Sequence, residues 1–318
     1  CPVCRSENRE LLYEGLTDKL FCAPGAWSMY LCESCHSAYL DPRPTVQSIG
    51  LAYQNYFTHD EALSYSSLGI AGKIRRRLAN GYRNYRYGTK DFPANILGAV
   101  VANLLPAGKA VIDSDMRHLP LDKKGRILDI GCGNGQFLMR AKDAGWDVVG
   151  VDFDPKAVEV ACRYGLDVRL GGVEMLNPES EKFDIITLSH VIEHVHHPLD
   201  LLKGCYNLIK SGGVIWIDTP NIASEGHRQF GANWRGLEPP RHLVIFNLDS
   251  LRNALISAGF FRIEIQDYRP LCESTYQASQ AISEGSDPCS ELSKKELAGM
   301  INKAERKVRY KSEHWEFV

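Results

Sequence analysis

Residues Arg126 to Pro155, RILDIGCGNGQFLMRAKDAGWDVVGVDFDP, constrain the fold of this chain more than any other stretch. A short apolar run (Ile127, Leu128, Ile130) meets a glycine cluster at alternate positions, Gly131, Gly133 and Gly135. A helical segment follows, then a second apolar run that closes on Asp152. This is the strand–turn–helix–strand opening of a nucleotide-type α/β sheet. Glycines there let the backbone turn tightly and let a ligand reach the helix N-terminus without meeting a Cβ. An acid at the carboxyl end of the second strand, here Asp152, can accept both hydroxyls of a ribose.

The spacing separates two kinds of ligand. A dinucleotide fingerprint reads G-x-G-x-x-G, whereas this order is G-x-G-x-G with Asp129 in front. A carboxylate facing the turn repels a pyrophosphate and suits a ligand that carries an ammonium group. The pattern, with VVGVDFDP after it, closely resembles motifs I and II of the class I S-adenosylmethionine-dependent methyltransferases. The resemblance implies a Rossmann-like seven-stranded α/β sheet with helices on both faces. It also implies a cofactor site of Asp129, Gly131, Gly133, Asn134, Gly135, Asp152, Phe153, Val173, Glu174 and Ser189. In it Asp129 and Gly131 lie near the methionine end and Asp152 holds the ribose. Phe153 flanks the adenine, with Val173 and Glu174 as further contacts. The plain alternative is a glycine-rich turn in some other α/β enzyme.

Two C-x-x-C knuckles, Cys1-Pro-Val-Cys4 and Cys32-Glu-Ser-Cys35, precede this core. Each can present two thiolates to one tetrahedral zinc, and together they complete a closed site. About forty residues bury little core on their own, so metal would supply part of the folding energy. A pair of disulfides or unrelated thiols is the alternative. Cys132, Cys162 and Cys205 fall inside the α/β pattern, which points to a reducing, cytoplasmic compartment. Around the knuckles Arg5, Arg9 and Lys19 are balanced by Glu7, Glu10, Glu14 and Asp18, so a nucleic-acid partner is not expected.

A net charge of −2 gives no overall basic field for nucleic acid or membrane. No apolar run reaches the roughly 18 residues of a membrane helix. The chain opens on Cys1 rather than Met, so a longer natural chain is expected. The expected division is a zinc-ribbon-like domain over 1–42, a helical arm or cap over 43–120, and a methyltransferase domain over 121–318.

Asp41-Pro-Arg-Pro44 breaks the chain, and Thr45 then caps an expected helix from Val46 to Phe57. Tyr53 and Tyr56 on it are candidate substrate contacts or simple packing aromatics. Residues 68–90 form a basic, tyrosine-rich helical segment whose arginines either bind anionic substrate or solvate an exposed arm. Ile96 to Leu105 is a second apolar segment, and 106–125 reads as a loop.

Beyond Asp152 a helix from Pro155 leads to a third strand (Asp167–Leu170) and a fourth (Phe183–Leu188). If 190–194 makes a helical turn, His190, Glu193 and His194 share one face, at the end of the sheet where such folds place their chemistry. The segment resembles the family's post-strand-four region. Ubiquinone-pathway and small-RNA methyltransferases carry a related E-x-x-E-H that binds a divalent metal. Here His190 replaces the first Glu, which weakens that carry-over and favours His190 as a general base. Alternatively Glu193 and His194 merely buttress the turn.

A fifth strand, Val214–Asp218, follows the KSGG stop. Residues 221–242 lack periodicity and read as an irregular substrate lid, with Trp234, Arg235 and Arg241 as binding candidates. His242 is a second candidate base or an anchor for the lid. This stretch and HLVIFNLDSLRNALISAGF resemble methyltransferases of sugar, capsule and secondary-metabolite pathways. A sixth strand (Phe260–Gln266), a helical insertion (285–310) and a last strand beginning at Trp315 complete the expectation. The implied function is S-adenosylmethionine-dependent methylation of a small molecule, possible acceptors being a sugar, a nucleotide-sugar or another metabolite precursor. A structural Zn²⁺ accompanies the cofactor, and no membrane partner is expected. The rivals are a zinc-ribbon rRNA methyltransferase and a non-catalytic S-adenosylmethionine-binding sensor or scaffold.

Overall fold

The computed structural model describes residues 1–54, 69–121, 123–266, 272–285 and 314–317. The helices, in chain order, are α1 (Ile70–Tyr87), α2 (Gly98–Leu104), α3 (Pro106–Asp115), α4 (Gln136–Asp143) and α5 (Pro155–Arg163). They continue with α6 (Pro198–Leu208), α7 (Glu225–Phe230), α8 (Leu248–Ala258) and α9 (Cys272–Ser283). The first strands are β1 (Arg9–Leu16), β2 (Trp27–Cys32), β3 (Ala38–Leu40), β4 (Arg126–Ile130), β5 (Asp147–Asp152) and β6 (Asp167–Leu170). The remaining strands are β7 (Phe183–Ser189), β8 (Ile209–Pro220), β9 (Val244–Ile245), β10 (Ile265–Gln266) and β11 (His314–Phe317).

The large sheet is the expected one, seven strands in the order β10-β11-β8-β7-β4-β5-β6. Its β4, β5, β6 and β7 pair in parallel, with Leu128 opposite both Val149 and Ile186. β4, β5 and β7 are largely apolar and buried, as strands covered on both faces must be, whereas β6 at the sheet edge buries only Val168. β11 turns antiparallel between β8 and β10.

The chain divides into two compact units. One holds Phe57–Leu188 and Asn207–Trp216. Its core gathers Ile127, Leu138, Ala141, Val148 and Ile185 with Tyr82, Tyr87 and Met116 from the preceding helices. Gly135 has φ +79, and a Cβ there would meet Leu166 Cδ1 at 2.5 Å, so this position needs glycine for both conformation and packing. The other unit holds Cys1–Tyr56, Ser189–Tyr206 and Ile217–Val318. Within it β1, β2 and β3 form an antiparallel ribbon, which β9 extends to four strands through Ala38 opposite Ile245. The ribbon's missing core comes from far along the chain: Met29, Ala38 and Leu40 pack against Trp234, Leu237, Leu243 and Ile245.

Several expectations are corrected. Residues 106–125 are not all loop: Pro106 occupies the first turn of α3, where its missing N–H costs nothing. The helix expected from Val46 appears as a single 3₁₀ turn, Ile49–Tyr53, and Tyr56 lies outside the described residues. The sixth strand is confined to Ile265–Gln266. The 221–242 segment is not irregular throughout, since it holds α7 and two 3₁₀ turns and supplies core side chains. The insertion expected over 285–310 lies outside the described residues beyond its first.

Candidate functional site

The glycine turn joins β4 to α4. Gly131, Gly133 and Gly135 all take left-handed φ values (67°, 52° and 79°). The turn is held against β5, for Gly131 N–H donates to the Val151 carbonyl at 2.8 Å and Gly133 N–H to Asp152 Oδ2 at 2.8 Å. Asp152 Oδ1 accepts the Asp154 N–H at 2.8 Å. Each carboxylate oxygen has a second lone pair for a further donor. Asn134 caps the same turn, its Oδ1 accepting the Gln136 N–H at 3.3 Å. Phe153, largely exposed, and Glu174 both close on Gly172, where an added Cβ would lie 3.1 Å from Phe153 Cζ and 2.7 Å from Glu174 Oε2. Val173 stands beside them, half-buried.

Asp129 is fully buried. Its Oδ1 accepts from the Thr187 hydroxyl at 2.9 Å and pairs with the Arg117 guanidinium, while Oδ2 has no hydrogen-bond partner among the described residues. Burial pushes this carboxyl above its ordinary value, against the pull of Arg117. Arg117 itself lies over the Phe137 ring, 3.8 Å from its centroid. The sequence reading passed over Arg117, which does lie in the turn that follows α3. The available signal was the acid inside β4, because a buried carboxylate calls for a cation.

In the other unit, His190 follows β7 in a left-handed conformation, φ 54°. Its Nδ1 lies 3.2 Å from Glu193 Oε1, its Nε2 3.3 Å from Asp218 Oδ2, and its N–H donates to the Asp218 carbonyl at 2.8 Å. Burial disfavours the charged ring, but the charge and hydrogen bond of Asp218, with Glu193, outweigh it and raise the pKa to about 10. The two carboxylates thus favour the imidazolium form of His190 at neutral pH. Glu193 is fully buried, donated to by the Thr219 hydroxyl at 3.0 Å. Burial opposes its anion too, yet the bond from His190 and the charges of His194, His190 and His242 bring it down to about 2. Ser189 sits half-buried at the end of β7.

His194 and His242 meet edge to face, 4.7 Å between centroids. His242 Nδ1–H donates to the Gly236 carbonyl at 2.7 Å, because a carbonyl only accepts. By the same logic His194 Nδ1–H faces the Arg241 carbonyl at 3.1 Å, with the Tyr53 hydroxyl 3.0 Å away. In the neutral form of either ring this tautomer leaves Nε2 as the acceptor. Burial pushes His242 down to about 3, with the charge of His194 adding to it and Glu238 opposing. Ligand atoms of Glu193, His194 and His242 all lie within 4.8 Å of one another, a group that can hold a metal ion.

Arg241 is not placed to touch a ligand. It is fully buried, with its guanidinium forked onto Asp18 (2.7 and 2.9 Å), bonded to Glu238 Oε1 at 2.9 Å and to the Ala52 carbonyl at 3.0 Å. Trp234 is buried as core beside His227. Arg235 remains partly exposed and pairs with Glu238. No local pattern marks Asp18, distant in the chain, as the partner of Arg241.

The four knuckle thiols come together, with Cys1 and Cys35 sulfurs 3.7 Å apart, Cys4 and Cys32 3.4 Å apart, and all within 4.8 Å of one another. None is in a disulfide. Four sulfurs about 2.3 Å from a central zinc would stand about 3.8 Å apart, so the residues fit a tetrahedral ion.

A parallel sheet with a glycine turn after β4 and an acid closing β5 defines the Rossmann-like fold of the class I S-adenosylmethionine-dependent methyltransferases. A family model described as a methyltransferase domain matches residues 102–264, just over half of the chain, and the chain belongs to that family. The ubiquinone biosynthesis O-methyltransferase of Cereibacter sphaeroides is 37% identical over 134 residues, covering 39% of this chain and 54% of that protein. The protein of the same name from Bordetella avium is 33% identical over 103 residues, 30% of this chain and 43% of its own. The chain thus spans about half the length of the curated relatives it matches. Among solved structures, a SAM-dependent methyltransferase from Archaeoglobus fulgidus aligns with a TM-score of 0.45 at 20% identity, covering 69% of this chain and 96% of that one. No helix among the described residues is long and apolar enough to cross a membrane.

Proposed function

We propose that this chain methylates a hydroxyl of a small molecule, using S-adenosylmethionine. The observation that carries the reading is Asp129, a buried carboxylate with one oxygen on Arg117 and the other without a partner among the described residues. Side by side, a free carboxylate oxygen and a guanidinium match the ammonium and carboxylate of an amino-acid moiety. Asp152 takes the ribose hydroxyls, and Phe153, Val173 and Glu174 line the adenine. S-adenosylmethionine held there would supply an activated methyl for the acceptor oxygen's lone pair, the C–S electrons passing to sulfur as a thioether.

What the protein adds is alignment and a destination for the hydroxyl proton. His190, held as a cation, anchors Glu193 rather than accepting that proton. We assign the accepting atom to His194 Nε2, whose ring is fixed by the Arg241 carbonyl and Tyr53. Arg235 is retained as a substrate contact because it is partly exposed. The names of the relatives support an oxygen acceptor; a sugar or nucleotide-sugar acceptor rests on the sequence resemblance alone. A structural zinc on Cys1, Cys4, Cys32 and Cys35 is part of the same proposal.

Labelled S-adenosylmethionine incubated with the protein and separate pools of dihydroxy-aromatic compounds, nucleotide-sugars and RNA tests the reading. Label in a small-molecule fraction, stable to conditions that cleave esters, supports it. Label in RNA overturns the acceptor class, and tight cofactor binding with no labelled product in any pool overturns the enzyme in favour of a sensor.

A further inference from the structure

The overall charge of −2 conceals a local field of the opposite sign. Helix α1, IAGKIRRRLANGYRNYRY, carries cations and no acid. Arg75, Arg77 and, just beyond the helix, Lys90 are exposed. Helix α2 crosses α1 at backbone contact: Cβ atoms added at Gly98 and Gly81 would fall 2.0 Å from the Leu78 carbonyl and 1.7 Å from the Asn95 carbonyl. Asn95 N–H donates to the Arg77 carbonyl at 2.9 Å. The cationic turn of α1 therefore sits directly beside the start of α2.

That start is apolar and open. Gly98 and Ala102, one turn apart, face inward, so the outward stripe of α2 is Leu97, Val100 and Leu104, all exposed. The loop ahead of it adds Phe92 and Ile96, which are 92% and 90% exposed. Apolar side chains concentrated on one helix and its approach, rimmed by cations, mark an interaction surface.

We propose that the α1–α2 face docks on an anionic lipid surface, with Phe92, Ile96, Leu97 and Leu104 entering the acyl boundary and Arg75, Arg77 and Lys90 meeting headgroup phosphates. The inference is independent of the methyl-transfer chemistry above. Charge decides the occupant. A second copy of this chain, joined face to face, would set one acid-free cationic helix against another. Nucleic acid would satisfy the cations but leave the aliphatic stripe without partners, since bases stack on aromatic faces. An anionic bilayer satisfies both at once, as it does for cationic amphipathic surface helices.

The full chain is centrifuged with vesicles of phosphatidylcholine alone or mixed with an equal amount of phosphatidylglycerol. It is expected to sediment with the mixed vesicles, to stay in solution with the neutral ones, and to be released by salt. Arg75→Gln and Arg77→Gln each lower partitioning roughly fivefold, and together roughly 25-fold. Ile96→Ser combined with Leu104→Ser abolishes sedimentation while the circular dichroism spectrum and melting midpoint stay unchanged. The proposal is overturned if the unaltered chain ignores phosphatidylglycerol vesicles, or if it binds neutral and anionic vesicles alike. It is equally overturned if the substitutions instead dissociate a dimer, or remove RNA binding and leave vesicle binding intact.

Discussion

The imidazole Nε2 of His190 lies 3.3 Å from Oδ2 of Asp218. With Glu193 on the other ring nitrogen, each side of a protonated ring meets a carboxylate, Glu193 within hydrogen-bond distance and Asp218 as an ion-pair partner. The cation is thus the resting state, which sets a first prediction. In a nuclear magnetic resonance titration the His190 ring keeps its proton well above neutral pH, and Asp218→Asn lowers the midpoint by roughly one to three pH units. A ring that titrates near 6.5 in both proteins would remove the pair.

These groups also set how stability varies with pH. His190 is raised, so its contribution is full below its unfolded value of 6.5 and is lost as pH climbs through about 10. Glu193, lowered from 4.5 to about 2, and His242, lowered from 6.5 to about 3, act in the opposite sense. Their contributions are present above those unfolded values and disappear as pH falls through the folded ones. Melting midpoints are expected to peak near neutrality and decline on both sides. Asp218→Asn flattens the alkaline limb only, and a change confined to the acid limb would contradict the assignment.

The proton acceptor separates by rate. His194→Ala lowers kcat roughly a hundredfold or more, the ordinary size of a general-base contribution, with the cofactor Kd little changed. If His190 were the acceptor, kcat would instead climb about tenfold per pH unit toward pH 10, because only its rare neutral form would react.

Much of this was legible in the sequence, and the exceptions share a cause. The sheet, the glycine turn and the Cys knuckles are local patterns whose spacing carries their geometry. Arg241 was not legible, because its environment comes from Asp18 and Ala52, far back in the chain. Trp234 read as a lid residue for the same reason: the ribbon strands that bury it precede it by some two hundred residues. His190 read as a candidate base, and its second acidic neighbour was not visible. Sequence spacing showed Glu193 beside it but not Asp218, which a different strand delivers. Arg117 hid in a stretch with no periodicity at all. Contacts between distant segments fix charge states and burial, and no local pattern encodes them.

Arg241 gives a prediction that distinguishes structure from substrate binding. Removing it strands buried Asp18 without its cation and leaves buried Glu238 with Arg235 as its remaining arginine. Arg241→Ala should cost about 3–5 kcal/mol of stability, read from denaturant unfolding. A stable variant with a raised acceptor KM would restore Arg241 as a substrate contact.

Zinc is the last test, and it reaches further than the ribbon. Because β9 pairs with β3 and the ribbon core includes Trp234, Leu237 and Leu243, collapse of the Cys4 site would unseat residues that position His242. Metal analysis of the purified chain is expected to give one zinc, and Cys4→Ser with Cys35→Ser to give none. Loss of the ion should lower the melting midpoint and expose tryptophan fluorescence from Trp27 and Trp234, since ion binding in small ribbons is folding energy. The parallel sheet draws its core from other residues, so cofactor binding measured by calorimetry should survive the substitutions within about threefold, a difference of under 1 kcal/mol. A metal-free chain whose melting and fluorescence match those of the zinc-loaded protein would show that the four thiols hold nothing structural.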